Sequence, residues 1–448
     1  MMRRRLACAL AALITAVIPV LSLASGAAGI AGTLLGQETE PEELTIKANI
    51  KAMPQFDEIR REELNRLLAH FSLELTLGEN VHSAGLYLDD GEILSMTGRD
   101  TEKGTETVYS FMPDTVFVTP YGDESLLQKK TEAGGYEEAV ELAGRLHSLL
   151  EDGYDLFSSM RLNSPGTVTE SKVRQKIKGF GTAARKMTIQ ISADEAESGS
   201  LSELFSGLGI GGGEDAGLVF RGKQKITLLL DEDDLPVRIT YSGTCGTGEV
   251  SLRSVTLDWK CLRDTDSSAD EIKLKTPAVS GRDRDNLTLS RSLGTKDGEE
   301  YYELSLEYDK VTAGTRTRAE AKASLKGTDT VGGELSVTVK DEEGTRKTTV
   351  VPDLTVTGEE YTGTLEIMNY SGKILKEDLL LSVSMSKGEE PVFPAAENTA
   401  NEEKNDAAEL ELAGAFLREV LKLTDEDLAF LIRDLPEGTL EQIRNNIR

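Results

Sequence analysis

Histidine, cysteine and tryptophan are scarce in this chain: its 448 residues hold three, three and one of them. The histidines are His70, His82 and His147, too far apart in sequence to share ligand spacing. There is no HExxH motif and no cysteine–histidine cluster, so neither a zinc site nor a histidine-based triad has its donors. No motif calls for a cofactor. Gly207-Leu208-Gly209-Ile210-Gly211-Gly212 spells GxGxxG. The phosphate-binding form needs a strand before it and a helix N-terminus after it. Here a helical pattern precedes it and Glu214 and Asp215 follow, which reads as a turn. Cys245, within Gly243-Thr244-Cys245-Gly246, has no neighbouring base to make it a thiolate. The single tryptophan, Trp259, falls in the alternation Val255, Leu257, Trp259 and is expected in a core.

Positive charge is also in short supply. Lys and Arg number 50 against 78 Asp and Glu, a net charge of −28. Such a balance repels a nucleic-acid backbone, and an anionic lipid headgroup likewise, and nucleic acid is excluded as a partner. Carboxylates are numerous enough to furnish the pairs that glycosidases use, but sugar clefts usually need exposed aromatic platforms, and Trp259 is the only tryptophan. Two acidic stretches stand out. Asp264, Asp266, Ser268, Asp270 and Glu271 form an oxygen-rich segment, but it lacks the turn glycine of a calcium loop, and Lys275 stands where a bidentate glutamate is needed. It is expected to be a solvated loop. Asp231-Glu232-Asp233-Asp234 reads as a hairpin turn.

Long apolar runs are limited to one, at the N-terminus. Arg3, Arg4 and Arg5 precede an uncharged stretch from Leu6 to Gly36. This is the pattern of a secretory signal, and residues 1–36 are read as a signal peptide or membrane anchor. Small residues at Ser22-Leu23-Ala24 and Ser25-Gly26-Ala27 suit cleavage after Ala24 or Ala27. Retention as a single-span anchor is the other reading, because the run exceeds the roughly 20 residues a spanning helix needs. Both put the body outside the cytoplasmic membrane, secreted or anchored to its outer face. Cys8 follows the basic head directly, which does not fit a lipoprotein. The strand pattern places Cys245 at a hairpin tip and Cys261 beyond its far end. About 13 extended residues, roughly 40 Å, separate them, whereas a disulfide needs Cα atoms within about 7 Å. Two unpaired thiols are expected.

Period-two alternation runs through the body, as in Ile46, Ala48, Ile50; Phe71, Leu73, Leu75; Ile226, Leu228, Leu230; Leu304, Leu306, Tyr308; and Leu379, Leu381, Val383. Such segments are half-buried antiparallel strands. Helical spacing appears at Phe56 to His70 (Ile59, Leu64, Leu67, Leu68) and at Tyr136 to Met160. Ser192-Ala193-Asp194-Glu195 reads as a capping box opening a helix through Phe205. The fold class is mainly β (α+β): curved antiparallel sheets with a few packed helices and a small helical C-terminal tail. The body divides into a β-rich segment with two helices (40–162), a β-hairpin segment (163–280) and an all-β segment (281–388). An acidic linker (389–406) leads to the helical tail (407–448). There Leu410, Leu417, Val420 and Leu421 form an apolar stripe for a partner or for the protein's own sheet, and Thr424 caps a second helix.

The stretch Lys223 to Gly243, KQKITLLLDEDDLPVRITYSG, resembles the strand–turn–strand of the LolA-like lipoprotein-carrier half-barrel superfamily, with Asp231 and Pro236 in the acidic turn. The chain also looks like uncharacterised exported proteins of Gram-positive bacteria. The first resemblance implies an open half-barrel whose concave apolar face holds an acyl chain or a partner segment. Three functional readings follow in order. The first is a non-catalytic exported protein binding a lipid, peptide or cell-envelope partner on the inner face of residues 71–118 and 217–260. The second is a structural or assembly protein docking through its C-terminal helices. The third is a carboxylate-based hydrolase.

Overall fold

The computed structural model describes residues 42–119, 150–160, 166–207, 218–246, 252–389 and 418–444, with single residues and short stretches inside those limits left out. The described residues form nineteen strands and five short helices, and the molecule is mainly β. In chain order, β1 (Glu42–Ala52) is followed by helix α1 (Glu58–Ala69), β2 (Phe71–Leu77), β3 (Val81–Leu88), β4 (Gly91–Thr101), β5 (Gly104–Phe111) and β6 (Thr115–Thr119). Helix α2 (Asp152–Ser159) precedes β7 (Thr167–Ile177) and β8 (Gly181–Ile191), then come α3 (Ala193–Glu197) and α4 (Ser200–Gly207). Next are β9 (Val219–Leu230), β10 (Pro236–Gly246), β11 (Arg253–Arg263), β12 (Ser267–Lys275), β13 (Arg284–Lys296), β14 (Glu299–Thr312), β15 (Thr315–Lys326) and β16 (Thr330–Asp341). The chain continues with β17 (Gly344–Thr357), β18 (Glu360–Ser371), β19 (Ile374–Lys387) and α5 (Ala429–Ile432). It forms two compact units. One comprises Met1–Val140, Pro352–Met368 and Leu375–Arg448; the other comprises Glu141–Val351 and Asn369–Ile374.

The first unit is a curved antiparallel sheet built around β1. This strand pairs with β2 on one side and β19 on the other, so Ile46 stands opposite both Leu73 and Val383. Register then carries the row from Leu73 to Leu86. A bulge between Ile50 and Ala52 interrupts the β1–β19 ladder. There the Asn65 side chain of α1 takes over: it accepts from the Ile50 amide at 2.7 Å and donates to the Ile50 carbonyl at 2.9 Å. Asp57 caps α1 by accepting from the Arg60 amide at 2.8 Å. Leu64, Leu67 and Leu68 of α1 are buried, while Ile59, expected on the same stripe, is 59% exposed.

The C-terminal tail belongs to this unit. Val420, Leu423 and Leu428 are buried in one cluster with Leu67, Phe71 and Ile93, and Leu421 packs against it. Phe430 meets Phe56 edge-on, with ring centroids 5.5 Å apart. Arg66–Glu426 (2.6 Å) and Arg433–Glu63 (3.0 Å) tie the two segments at the rim. His70 sits between Asp89 (2.7 Å) and Asp427 (3.4 Å). Partial burial works against a charged ring, yet hydrogen bonds to these two carboxylates outweigh it and hold the His70 pKa above its ordinary value. Thr424 accepts from the Asp427 amide as the sequence suggested, but the helix that follows is only one turn, α5. Val420 and Leu421, read as a partner-binding stripe, thus face the protein's own helix and sheet; Leu410 and Leu417 lie outside the described residues.

The second unit is a meander in which each strand from β7 to β16 pairs antiparallel with the next. Two-residue turns at Asp297-Gly298 and Ala313-Gly314 have left-handed φ at both positions (57° and 88°, 51° and 91°), which matches the twist of the flanking strands. The capping box at Ser192 is present: its amide and hydroxyl both donate to Glu195 Oε2, at 2.9 and 2.8 Å. Those bonds hold the Glu195 carboxyl below its usual range. The single helix expected there is two helices, α3 and α4, with Gly199 between them in sequence. The hairpin turn after β10 also comes later than expected, since Cys245 is still in register with Arg253.

If the tail is part of the first unit's core, Leu428→Ala removes a fully buried side chain and lowers stability by about 2–4 kcal/mol. Urea unfolding of wild type and variant measures this. A tail that merely docked elsewhere would leave the unfolding curve unchanged.

Candidate binding face

In an antiparallel ladder, residues directly opposite one another project to the same face. The register of the second unit therefore places its apolar side chains in rows across the strands. One row runs Ile239, Trp259, Ile272, Leu289, Leu306, Ala321, Val337. Beside it runs Cys261, Asp270, Arg291, Leu304, Ala323, Leu335. On the other side lies Leu257, Leu274, Leu287, Tyr308, Ala319, Val339. At their β9–β11 end these rows are sealed. Ile226, Leu228, Ile239, Val255 and Trp259 are fully buried. Phe205 of α4 lies 4.8 Å from the Tyr241 ring, and Tyr154 of α2 lies 5.8 Å from Trp259. The inner face of 217–260, expected to be an open groove, is thus filled by the protein's own helices. The inner face of 71–118 is likewise covered where it is described, by α1 and the C-terminal tail.

Toward β14–β16 the same face changes character. Leu289, Leu304 and Leu306 remain buried, but Leu293, Tyr302, Ala321, Leu325, Leu335 and Val337 are only half-buried. Along β15 the row positions are Ala319, Ala321 and Ala323, small residues between the larger side chains of β14 and β16. Short side chains flanked by long ones make a shallow furrow parallel to the strand, with Ala319 and Ala323 buried at its floor and Ala321 half-buried. From Ala319 to Leu325 it measures about 20 Å.

A charged cluster stands where the sealed part meets this furrow. Asp270, expected in a solvated loop, is 1% exposed within β12. It accepts from Trp259 Nε1 (2.9 Å), Arg263 Nη2 (2.9 Å), Arg291 Nε (3.0 Å) and Arg291 Nη2 (2.8 Å). Arg263 also lies over the Tyr154 ring, 4.5 Å from its centroid. Desolvation leads the causes that raise the pKa of the adjoining Tyr302 hydroxyl. The sequence showed four carboxylates and a serine in a row; it did not show that two arginines and an indole converge on one of them. Removing a buried charge's partner strands what is left, so Asp270→Ala is expected to cost about 3–5 kcal/mol. Fluorescence of Trp259, the only tryptophan, reports its unfolding directly.

In the first unit, the carboxylates of Glu366 and Asp378 influence each other. Lys51 binds Glu366 at 2.6 Å. Asp378 Oδ1 is buried with no hydrogen-bond donor. Burial first, then the neighbouring Glu366 charge, raise the Asp378 pKa, with Lys51 opposing. Two neighbouring carboxyls disfavour both being ionised at once. An acid whose folded pKa is raised loses stability as pH climbs from its ordinary value of 3.8 through the folded value. Asp378→Asn should therefore raise the thermal midpoint at pH 7, and the gain should vanish as pH falls toward 3.8. Calorimetry across that range checks it.

The remaining candidates sort simply. Asp231 makes the hairpin turn, accepting from the amides of Asp233 (3.0 Å) and Leu235 (2.8 Å). Cys245 and Cys261 are free and buried, as the spacing predicted. Burial pushes both thiols up to about 12, where they are poor nucleophiles. His147, Leu208 to Gly212, Asp266, Ala24 and Ala27 lie outside the described residues, as does the side chain of His82. Among the described residues no three His, Cys, Asp or Glu side chains gather as metal ligands. Nor is any helix among them long and apolar enough to cross a membrane. No protein-family model matches the chain, and no curated protein does.

Proposed function

We propose that this is an exported, non-catalytic protein that holds a hydrocarbon chain against the inner face of β13–β16, outside the cytoplasmic membrane. The observation that carries the reading is the row of alanines on β15 between the larger side chains of β14 and β16, where Ala321, Leu325, Leu335 and Val337 stay half-buried above the buried Ala319 and Ala323. Its length of about 20 Å suits a single long acyl chain. The apolar residues along it lose water when such a chain lies down, at roughly 25 cal/mol per Å² of apolar surface removed. The uncharged segment from Leu6 to Gly36 behind three arginines supports delivery across the membrane. The buried Val420 favours the sheet over the C-terminal helices as the binding element.

Native mass spectrometry of protein purified from its own envelope tests this. A lipid-sized adduct is expected on the wild type and is expected to disappear from Ala321→Phe, which fills the furrow. A clean apo mass for the wild type, or an adduct that survives the phenylalanine, overturns the reading.

A further inference from the structure

The net charge of −28 conceals one basic region. Between Thr167 and Gln190 there are six basic residues and one acidic residue, and Arg221, Lys223 and Lys225 follow on β9. Lys172, Arg174, Lys176, Lys178, Lys186, Lys223 and Lys225 are all exposed. The only acid of the hairpin, Glu170, is turned to Arg185 (3.9 Å), which also binds Asp234 (2.6 Å). The hairpin is firmly seated. Ile177, Phe180 and Ala183 at its tip pack on Leu229 and Val237. The cations are therefore displayed on a fixed support rather than on a loose loop.

A row of lysines on an outer strand also guards against unwanted strand pairing. Among the described residues of its unit, β7 ladders to β8 alone, and a register shift between Lys172 and Gln175 adds to that protection. Guarding works with charge of either sign, however, and this chain otherwise prefers acids. Nor does guarding explain Lys186 and Lys225, which lie inside the ladder. Lys186 pairs with Leu229 and Lys225 with Gln190, so both share the face opposite Trp259. The excess of basic charge across three strands, with Glu170 already turned to Arg185, suits a ligand of opposite sign.

We infer that the β7–β9 surface binds the anionic headgroup layer of a phospholipid bilayer. At physiological ionic strength charges beyond about 8 Å are screened. The cations that reach the bilayer surface from the outer strand β7 and its neighbours therefore act locally, while the acidic remainder of the chain is repelled and turned away. Each lysine or arginine near such a surface adds attraction that falls with salt. This surface is separate from the acyl furrow and holds or fails independently of it.

Sedimentation of the full chain with vesicles tests the assignment. One set is neutral phosphatidylcholine; the other contains about one-third phosphatidylglycerol. Hydrophobic insertion of the N-terminal segment contributes to both. The expected result is at least about tenfold tighter binding to the anionic set, abolished by about 0.5 M salt. The quadruple variant K172Q/R174Q/K176Q/K178Q should lose most of that increment. These four side chains are exposed, so its far-ultraviolet spectrum and unfolding midpoint should match the wild type. Equal binding to both vesicle sets overturns the inference. So does an increment that the quadruple variant retains. Capture of soluble polyphosphate through the same four residues, with no preference for anionic vesicles, also overturns it.

Discussion

Everything in this molecule rests on the pairing of antiparallel strands without a slip in register. Opposed residues share a face, so a one-residue shift would send every inward side chain to water. The ladders of β11 to β16 keep register from end to end, and the rows through Trp259 and Leu289 follow from that alone. Two of the places where ladders shift are accommodated by side chains. Asn65 bonds the β1 backbone at its bulge. Gly243 lies beside the shift between Ser242 and Thr244, and a Cβ there would stand 1.7 Å from Gln224 Oε1. That oxygen accepts from the Tyr241 hydroxyl at 2.6 Å, a bond buried under Phe205.

The same face serves two ends. At β9 to β11, short helices cap it and produce a dry core. On β15, between the larger side chains of β14 and β16, alanines take the row positions, and Ala321, Leu335 and Val337 stay half-buried. The Asp270 cluster stands between them. A buried carboxylate shared by two arginines adds little net stability over a well-packed apolar core. What it does impose is geometry, because a planar guanidinium accepts few alternatives. The cluster thus fixes β11, β12 and β13 relative to one another where the packing changes from sealed to open.

Much of this was legible in the sequence, for a physical reason. Alternation along a strand is a local property, so the strands around Leu228, Trp259, Leu306 and Leu381 could be read directly. The hairpin at Asp231 and the cap at Ser192 were equally local. What escaped depends on partners far along the chain. Asp270 looked like a loop residue because its arginine on β13 lies 21 positions away. Val420 looked available because the α1 and β4 residues that bury it belong to the opposite end of the sequence. The groove expected over 217–260 was misplaced because nothing in a strand's own pattern tells which helix will cover it.

The pairing of β1 with β19 sets an order of events for the nascent chain. Lys51 and Glu366 are 315 residues apart, and Arg66 and Glu426 are 360 apart. The second unit joins neighbour to neighbour and can close as it emerges. The first cannot finish until the last residues have appeared, so its early strands must wait, unpaired along one side, through most of synthesis. That interval is when the chain is most exposed to chaperones, to proteases and to other copies of itself.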